Sequence, residues 1–134
     1  MRLRDEPPSL SLLRRGHWLL CRIRGAIDVG QLQAWLVEVA GSCRSAGVRA
    51  ALVDLTDTGD VVGAADQFRL GLRMADAWPP DVPIAVLVAP HLLLPERVFE
   101  NVAAHGGLRV RSFGDARAAA AWLATQLHPP TRPR

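Results

Sequence analysis

Short apolar runs alternate with longer segments of helical periodicity along most of this chain. Apolar runs bounded by turn residues predict five β-strands, at residues 10–13, 17–27, 50–55, 84–88 and 108–113. The segments between them predict helices at residues 28–46 and 61–78, a third helix that Pro95 opens and a fourth that Asp115 caps. The chain therefore alternates between strand and helix from about residue 17 onwards.

The order of these elements predicts the fold class. A hairpin is followed by β-α-β-α-β-α, and the connections are long enough for parallel crossovers. We expect an α/β domain at residues 9–127, with a mostly parallel five-stranded sheet, an N-terminal hairpin and about four helices. The prolines at both ends predict tails at residues 1–8 and 128–134. In strand 17–27, arginines alternate with apolar residues, which indicates a strand near an edge with one wet face.

Helix 61–78 carries more apolar residues than one buried face needs. A rotation of 100° per residue gathers one apolar stripe that we expect to face the core: Ala65, Phe68, Leu72 and Ala75. A second apolar set lies away from that stripe: Leu70, Met74 and Trp78. Because a surface helix needs only one stripe, the second set indicates either unusually deep burial or a binding face. Both alternatives are open at this point.

Composition excludes several kinds of chemistry. All sixteen basic residues are arginine, with no lysine and no tyrosine, so Schiff-base chemistry and a Walker-A phosphate site are excluded. The net charge is +3, but the C-terminal tail carries two of those charges and the remaining arginines are dispersed among acids, so we expect no nucleic-acid partner.

Neither a signal peptide nor a membrane span is evident, and a cytoplasmic location is expected. Cys21 and Cys43 match no metal or redox spacing, which predicts buried thiols.

Loops at the carboxyl ends of parallel strands are where α/β domains bind ligands. Two such loops carry polar side chains that suit proton transfer, cation binding or phosphorylation: Asp54, Thr56, Asp57, Thr58, Asp60 and His91. A receiver-type phosphorylation site is excluded because it needs a lysine. Capping and turn formation by the aspartates and threonines is the simpler interpretation, and an enzyme using this loop with His91 is the alternative. The leucines that follow, Leu92, Leu93 and Leu94, exceed what one buried face requires and indicate an apolar pocket or a partner contact.

The closing segment resembles a known family. Val110-Arg-Ser-Phe113-Gly-Asp115, followed by Trp122-Leu123, is similar to the end of SpoIIAA-like STAS domains, and the apolar strands agree. The resemblance covers about residues 10–127 and implies a small non-enzymatic domain that binds partners or ligands. Switching members carry a phosphorylatable serine where this chain has Gly-Asp-Val-Val-Gly at residues 59–63, so only Thr56 and Thr58 remain as possible phosphoacceptors.

Together these observations predict a non-enzymatic STAS-like regulatory module with no cofactor and no metal. We expect it to engage a protein partner, an apolar small molecule or a lipid through helix 61–78 and loop 89–95, and a homodimer is an open alternative. The residues predicted to form this binding site are Leu70, Met74, Trp78, His91, Leu92, Leu93 and Leu94.

Overall fold

The computed structural model of the chain describes residues 7–58, 64–90 and 97–127. The predicted alternation of strand and helix is confirmed. The elements are β1 (Ser9–Arg15), β2 (Trp18–Arg24), α1 (Val29–Ala46), β3 (Ala50–Asp57), α2 (Ala64–Ala77), β4 (Ile84–Leu87), α3 (Val98–His105), β5 (Val110–Phe113) and α4 (Ala116–Leu127). Among these residues, no helix is both long and apolar enough to cross a membrane.

Local sequence signals set the ends of the first and last helices. The side chain of Asp28 accepts a hydrogen bond from the backbone N–H of Gln31 at 2.8 Å and so caps the N-terminus of α1. The helix ends at Gly47, which adopts the left-handed conformation with a φ of 62°. Asp115 caps α4 in the same way, through the N–H of Ala118 at 3.0 Å. The start of a helix at residue 28 and the Asp115 cap, both predicted from the sequence, are confirmed.

The five strands form one mixed sheet in the order β1-β2-β3-β4-β5. The β1–β2 pair is antiparallel, and β2, β3, β4 and β5 are parallel to one another. Parallel crossovers are almost always right-handed, so strands added successively on one side place all their connecting helices on the same face. Accordingly α1, α2 and α3 share one face, and α4 is the one described helix on the other.

The two faces of the sheet have cores of unequal size. The larger core joins α1, α2 and α3 to the inward residues of β2, β3 and β4, and it includes Cys21 and Cys43, 2% and 1% exposed. The prediction of buried thiols is confirmed. Burial raises the pKa of the Cys21 thiol to about 12 and that of Cys43 to about 11. The smaller core lies under α4, where the rings of Phe113 and Trp122 are 5.8 Å apart.

Candidate functional site

Asp54 and Thr56 lie at the carboxyl end of β3. The Oδ1 atom of Asp54 accepts hydrogen bonds from the backbone N–H of Thr56 at 2.9 Å and from its hydroxyl at 2.6 Å. The Oδ2 atom accepts from Nε of Arg22 at 3.4 Å. This carboxylate therefore links two neighbouring strands and is held by Thr56 within β3.

The next two polar residues are also held within the structure. Asp57 forms an ion pair with Arg24 at 3.6 Å, and the hydroxyl of Thr58 donates to the backbone carbonyl of Leu55 at 2.8 Å. No group of three or more metal-binding side chains occurs within the described ranges. The enzyme alternative pairs His91 with Asp57 or Asp60, and both His91 and Asp60 lie outside the described ranges.

Thr56 and Thr58 remain predictions as phosphoacceptors. A phosphate on Thr56 would place about two negative charges beside the Asp54 carboxylate, which like-charge repulsion disfavours. Thr58 is half-buried and its hydroxyl closes a turn. The stretch 59–63 that replaces the phosphorylatable serine lies outside the described residues.

Helix α2 is rotated relative to the prediction from its sequence. Leu70, Met74 and Trp78 are 4%, 1% and 2% exposed and pack in the larger core. The prediction that these three residues form a binding face is therefore wrong, because α2 directs them at the sheet. Deep burial, the other alternative, is what the structure shows.

The stripe expected to face the core is instead largely exposed. Phe68 and Leu72 are 50% and 53% exposed, and Ala65 lies on the same side of the helix and is also exposed. We call Ala65, Phe68 and Leu72 the exposed α2 stripe. It is an apolar surface on a helix at a residue spacing of three and four, the arrangement that usually marks a contact.

Close packing of α2 against α3 explains the rotation. A Cβ atom built on Gly71 would lie 2.8 Å from Cβ of Val102 and 2.9 Å from the carbonyl oxygen of Phe99, so only glycine fits there. A Cβ atom built on Gly106 would likewise clash with Cβ of Ala75. The sequence does carry a signal for this orientation, the small residues Gly71 and Ala75 four positions apart. Small residues at this spacing let two helices approach closely, and they indicate the side of α2 that packs on α3.

Charged residues flank the exposed α2 stripe. Asp66 pairs with Arg69 at 3.4 Å and Arg73 pairs with Asp76 at 3.5 Å, each three residues apart along the helix. Such exposed pairs contribute little to stability. They lie along one side of the stripe, opposite the side that packs on α3, and give it a charged margin there.

The other residues predicted to bind a partner or ligand, His91, Leu92, Leu93 and Leu94, lie outside the described residues. A groove of about 580 Å³ does occur at the opposite end of the sheet. There the Arg44 guanidinium donates to the carbonyl of Ala77 at the end of α2, and Arg109 donates to the carbonyl of Gln126 near the end of α4, at 3.4 Å. These arginines satisfy the free carbonyls of helix ends, which accounts for the positive charge of this groove.

Comparison with known proteins supports the fold. No protein-family model matches the chain, and no curated protein matches it. Among solved structures, an anti-sigma factor antagonist from Mycobacterium paratuberculosis is similar with a TM-score of 0.59 and 10% identity, over 88% of this chain and 95% of that one. An uncharacterized protein with a SpoIIAA-like fold from Shewanella loihica PV-4 gives a TM-score of 0.48 and 20% identity, over 87% and 93% of the two chains. The resemblance noted in the sequence is supported at the level of the fold alone: the chain has the α/β fold seen in the anti-sigma factor antagonist.

Proposed function

We propose that this chain is a non-enzymatic regulatory module that binds a protein partner through α2. The observation that carries the proposal is the exposed α2 stripe, in which Phe68 and Leu72 leave half of their surface in water. Large side chains at this spacing on a helix are the usual anchors of helix-mediated contacts.

The polar residues near the site favour binding over catalysis. Asp54 and Asp57 are engaged by Arg22 and Arg24, and the hydroxyls of Thr56 and Thr58 are engaged by Asp54 and Leu55. Binding energy would come instead from burying the apolar stripe, with the charged margin on one side of it. An anti-sigma factor is the first partner to test, because the similar solved structure is described as an anti-sigma factor antagonist.

The test is a binding measurement with matched variants. Anti-sigma factors encoded in the same genome are titrated with the wild-type chain by isothermal calorimetry, and then with Phe68→Asp and Leu72→Asp. Each substitution should weaken binding by at least about thirtyfold, which corresponds to about 2 kcal/mol for an interface anchor. Both residues are already half exposed, so thermal melting should change little.

Leu13 provides the control, because it is 53% exposed, as is Leu72, but lies on β1. Leu13→Asp should leave the affinity within about twofold of wild type. Equal loss of binding with Leu13→Asp, or full retention with both α2 variants, would contradict the assignment of the surface. Failure of the wild-type chain to bind any anti-sigma factor in the set would contradict the proposed partner class.

A further inference from the structure

Strand β1 is one edge of the sheet, and its outer side pairs with no other strand of the described residues. It has seven residues, whereas β5 at the other edge has four. Leu12 and Leu13 are 40% and 53% exposed and lie on opposite faces of β1, because successive side chains of a strand alternate. Together with Phe68 and Leu72 of the exposed α2 stripe, they are the large hydrophobic side chains that the described part of the chain leaves exposed. A long edge strand with exposed leucines is a site at which a further strand can pair.

The hairpin determines which backbone groups of β1 point to the free edge. Arg15 and Trp18 flank a two-residue turn, so they exchange hydrogen bonds with each other and Arg15 directs its N–H and C=O at β2. Direction alternates along a strand, so Leu10, Leu12 and Arg14 direct their N–H and C=O groups outwards. The carbonyl of His17, which accepts from the N–H of Arg49 on the β3 side at 2.7 Å, agrees with this alternation.

We propose that β1 pairs antiparallel with β1 of a second copy, so that the two sheets become one continuous sheet. The outward residues are symmetric about Leu12, which places a two-fold axis there. Leu12 pairs with Leu12 of the second copy, each Leu10 pairs with the other copy's Arg14, and each pair exchanges two hydrogen bonds. A register shifted by two residues would set Arg14 opposite Pro8, which has no N–H, or Leu10 opposite the turn at Gly16.

The exposed leucines of β1 suit this arrangement. Leu12 is covered by its own symmetry mate on one face of the joined sheet. On the other face Leu13 lies opposite Ser11 of the second copy and diagonal to its Leu13, within reach of a leucine side chain. The contact is isologous, so the same strand serves both copies and the assembly stops at two.

The arginines at the end of β1 select antiparallel pairing with a second copy. Each Arg14 then lies opposite a leucine and each Arg15 opposite Ser9. The two Arg14 side chains are separated by four residues along the strand, about 13 Å, which exceeds the Debye length of about 8 Å at physiological ionic strength. Parallel pairing would set Arg14 beside Arg14 at about 4.8 Å, which like-charge repulsion disfavours.

The space beside β1 is open to a second sheet. Helix α4 packs on β3, β4 and β5, two strands away from the edge. The exposure of Leu12 and Leu13 shows that neither face of β1 is covered at this point. The chain that enters β1 packs against the end of β2, since a Cβ atom built on Gly25 would lie 2.9 Å from Cα of Pro8.

The size of the contact predicts a weak, reversible dimer. Seven residues at a rise of about 3.3 Å give an edge roughly 23 Å long and one sheet, about 10 Å, thick. This is well below the roughly 800 Å² per partner of a standard interface. Dimerisation should therefore depend on concentration in the micromolar-to-millimolar range.

The first test is sedimentation equilibrium of the full chain from about 10 μM to 1 mM, a range chosen for a weak interface. The wild-type chain should shift from monomer to dimer. Leu12→Asp should raise the dissociation constant at least about tenfold, because it sets two carboxylates opposite each other across the axis. Leu72→Asp is the matched control, since Leu72 is 53% exposed but lies on α2, and it should change the constant by no more than about threefold.

Mixing two variants tests the axis itself. Leu12→Lys should weaken dimerisation as Leu12→Asp does, through repulsion between two ammonium groups. An equimolar mixture of the two variants should associate at least about tenfold more tightly than either alone, because opposite charges then face each other. This rescue requires residue 12 of one copy to lie opposite residue 12 of the other, and its absence would contradict the register.

Backbone amide exchange of the wild-type chain gives a test that needs no substitution. The N–H groups of Ser11 and Leu13 should be protected by β2 at every concentration. Those of Leu10, Leu12 and Arg14 should exchange at least about threefold more slowly at 1 mM than at 10 μM, because dimerisation occupies them. Exchange at these three positions that does not depend on concentration would overturn the proposal.

A wild-type chain that stays monomeric up to about 1 mM, the upper end of the range for a weak interface, would also overturn it, and would leave this edge to a strand of another protein. Loss of the dimer with Leu72→Asp would assign the contact to α2 instead. Failure of the β1 proposal leaves the binding of a partner through α2 untouched, because the β1 variants change no residue of that helix.

Discussion

Replacing Trp78 tests which side of α2 faces the core. Trp78 is 2% exposed and Phe68 is 50% exposed, although both are large aromatic residues, one directly after the end of α2 and the other on it. Truncating a buried tryptophan to alanine costs about 3–5 kcal/mol, through lost burial and the cavity that remains. Truncating a half-exposed phenylalanine should cost about 1 kcal/mol or less, because only the buried half of its side chain contributes a transfer free energy that is lost.

These magnitudes are large against the stability of a domain of this size, which is on the order of 10 kcal/mol. Guanidinium denaturation followed by circular dichroism measures them directly. With a slope of about 4 kcal/mol per molar, the midpoint should fall by about 1 M for Trp78→Ala and by no more than about 0.25 M for Phe68→Ala. Equal losses, or a larger loss for Phe68→Ala, would refute the orientation assigned to α2.

Trp78→Phe separates the stability that the buried ring contributes by packing from the cost of burying its indole N–H. The buried indole Nε1 has no hydrogen-bond partner within the described part of the chain. An unsatisfied buried donor costs about 1–3 kcal/mol, so its removal offsets much of the volume lost. The variant should therefore retain a stability within about 1 kcal/mol of wild type. A loss as large as that of Trp78→Ala would show that the indole N–H has a partner.

Two further predictions concern the packing of the helices and the buried thiols. Gly71→Ala should lower the free energy of unfolding by up to about 2 kcal/mol, because the added methyl group clashes with Val102 and the α3 backbone. This clash outweighs the roughly 1 kcal/mol by which alanine is favoured over glycine inside a helix. An unchanged denaturation midpoint would contradict the close approach of the two helices. The thiols of Cys21 and Cys43 have pKa values raised from 9.0 to about 12 and 11, so the folded state holds protons that the unfolded state releases. The thiol contribution to stability should be full below pH 9 and decline towards pH 11–12, and Cys21→Ser should reduce that decline.

The order and type of the elements were determined by the sequence alone. Alternating apolar runs and helical periodicity located the strands and helices, and Asp28 and Asp115 marked helix starts that the structure confirms. The alternation in β2, with Arg22 and Arg24 exposed and Cys21 buried, correctly indicated one wet face near a sheet edge. These features are local, because periodicity and capping depend only on residues a few positions apart.

The orientation of α2 and the exposure of Leu13 on the sheet were decided by the tertiary structure. Helix α2 has two apolar sides, so periodicity alone could not choose which one is buried. The choice was made by the close approach of α3 to Gly71, which directs Trp78 at the sheet and leaves Phe68 in water. The strand order then placed three crossover helices on one face and left Leu13 uncovered on the other. Both outcomes depend on contacts between segments far apart in the chain, which no local pattern contains.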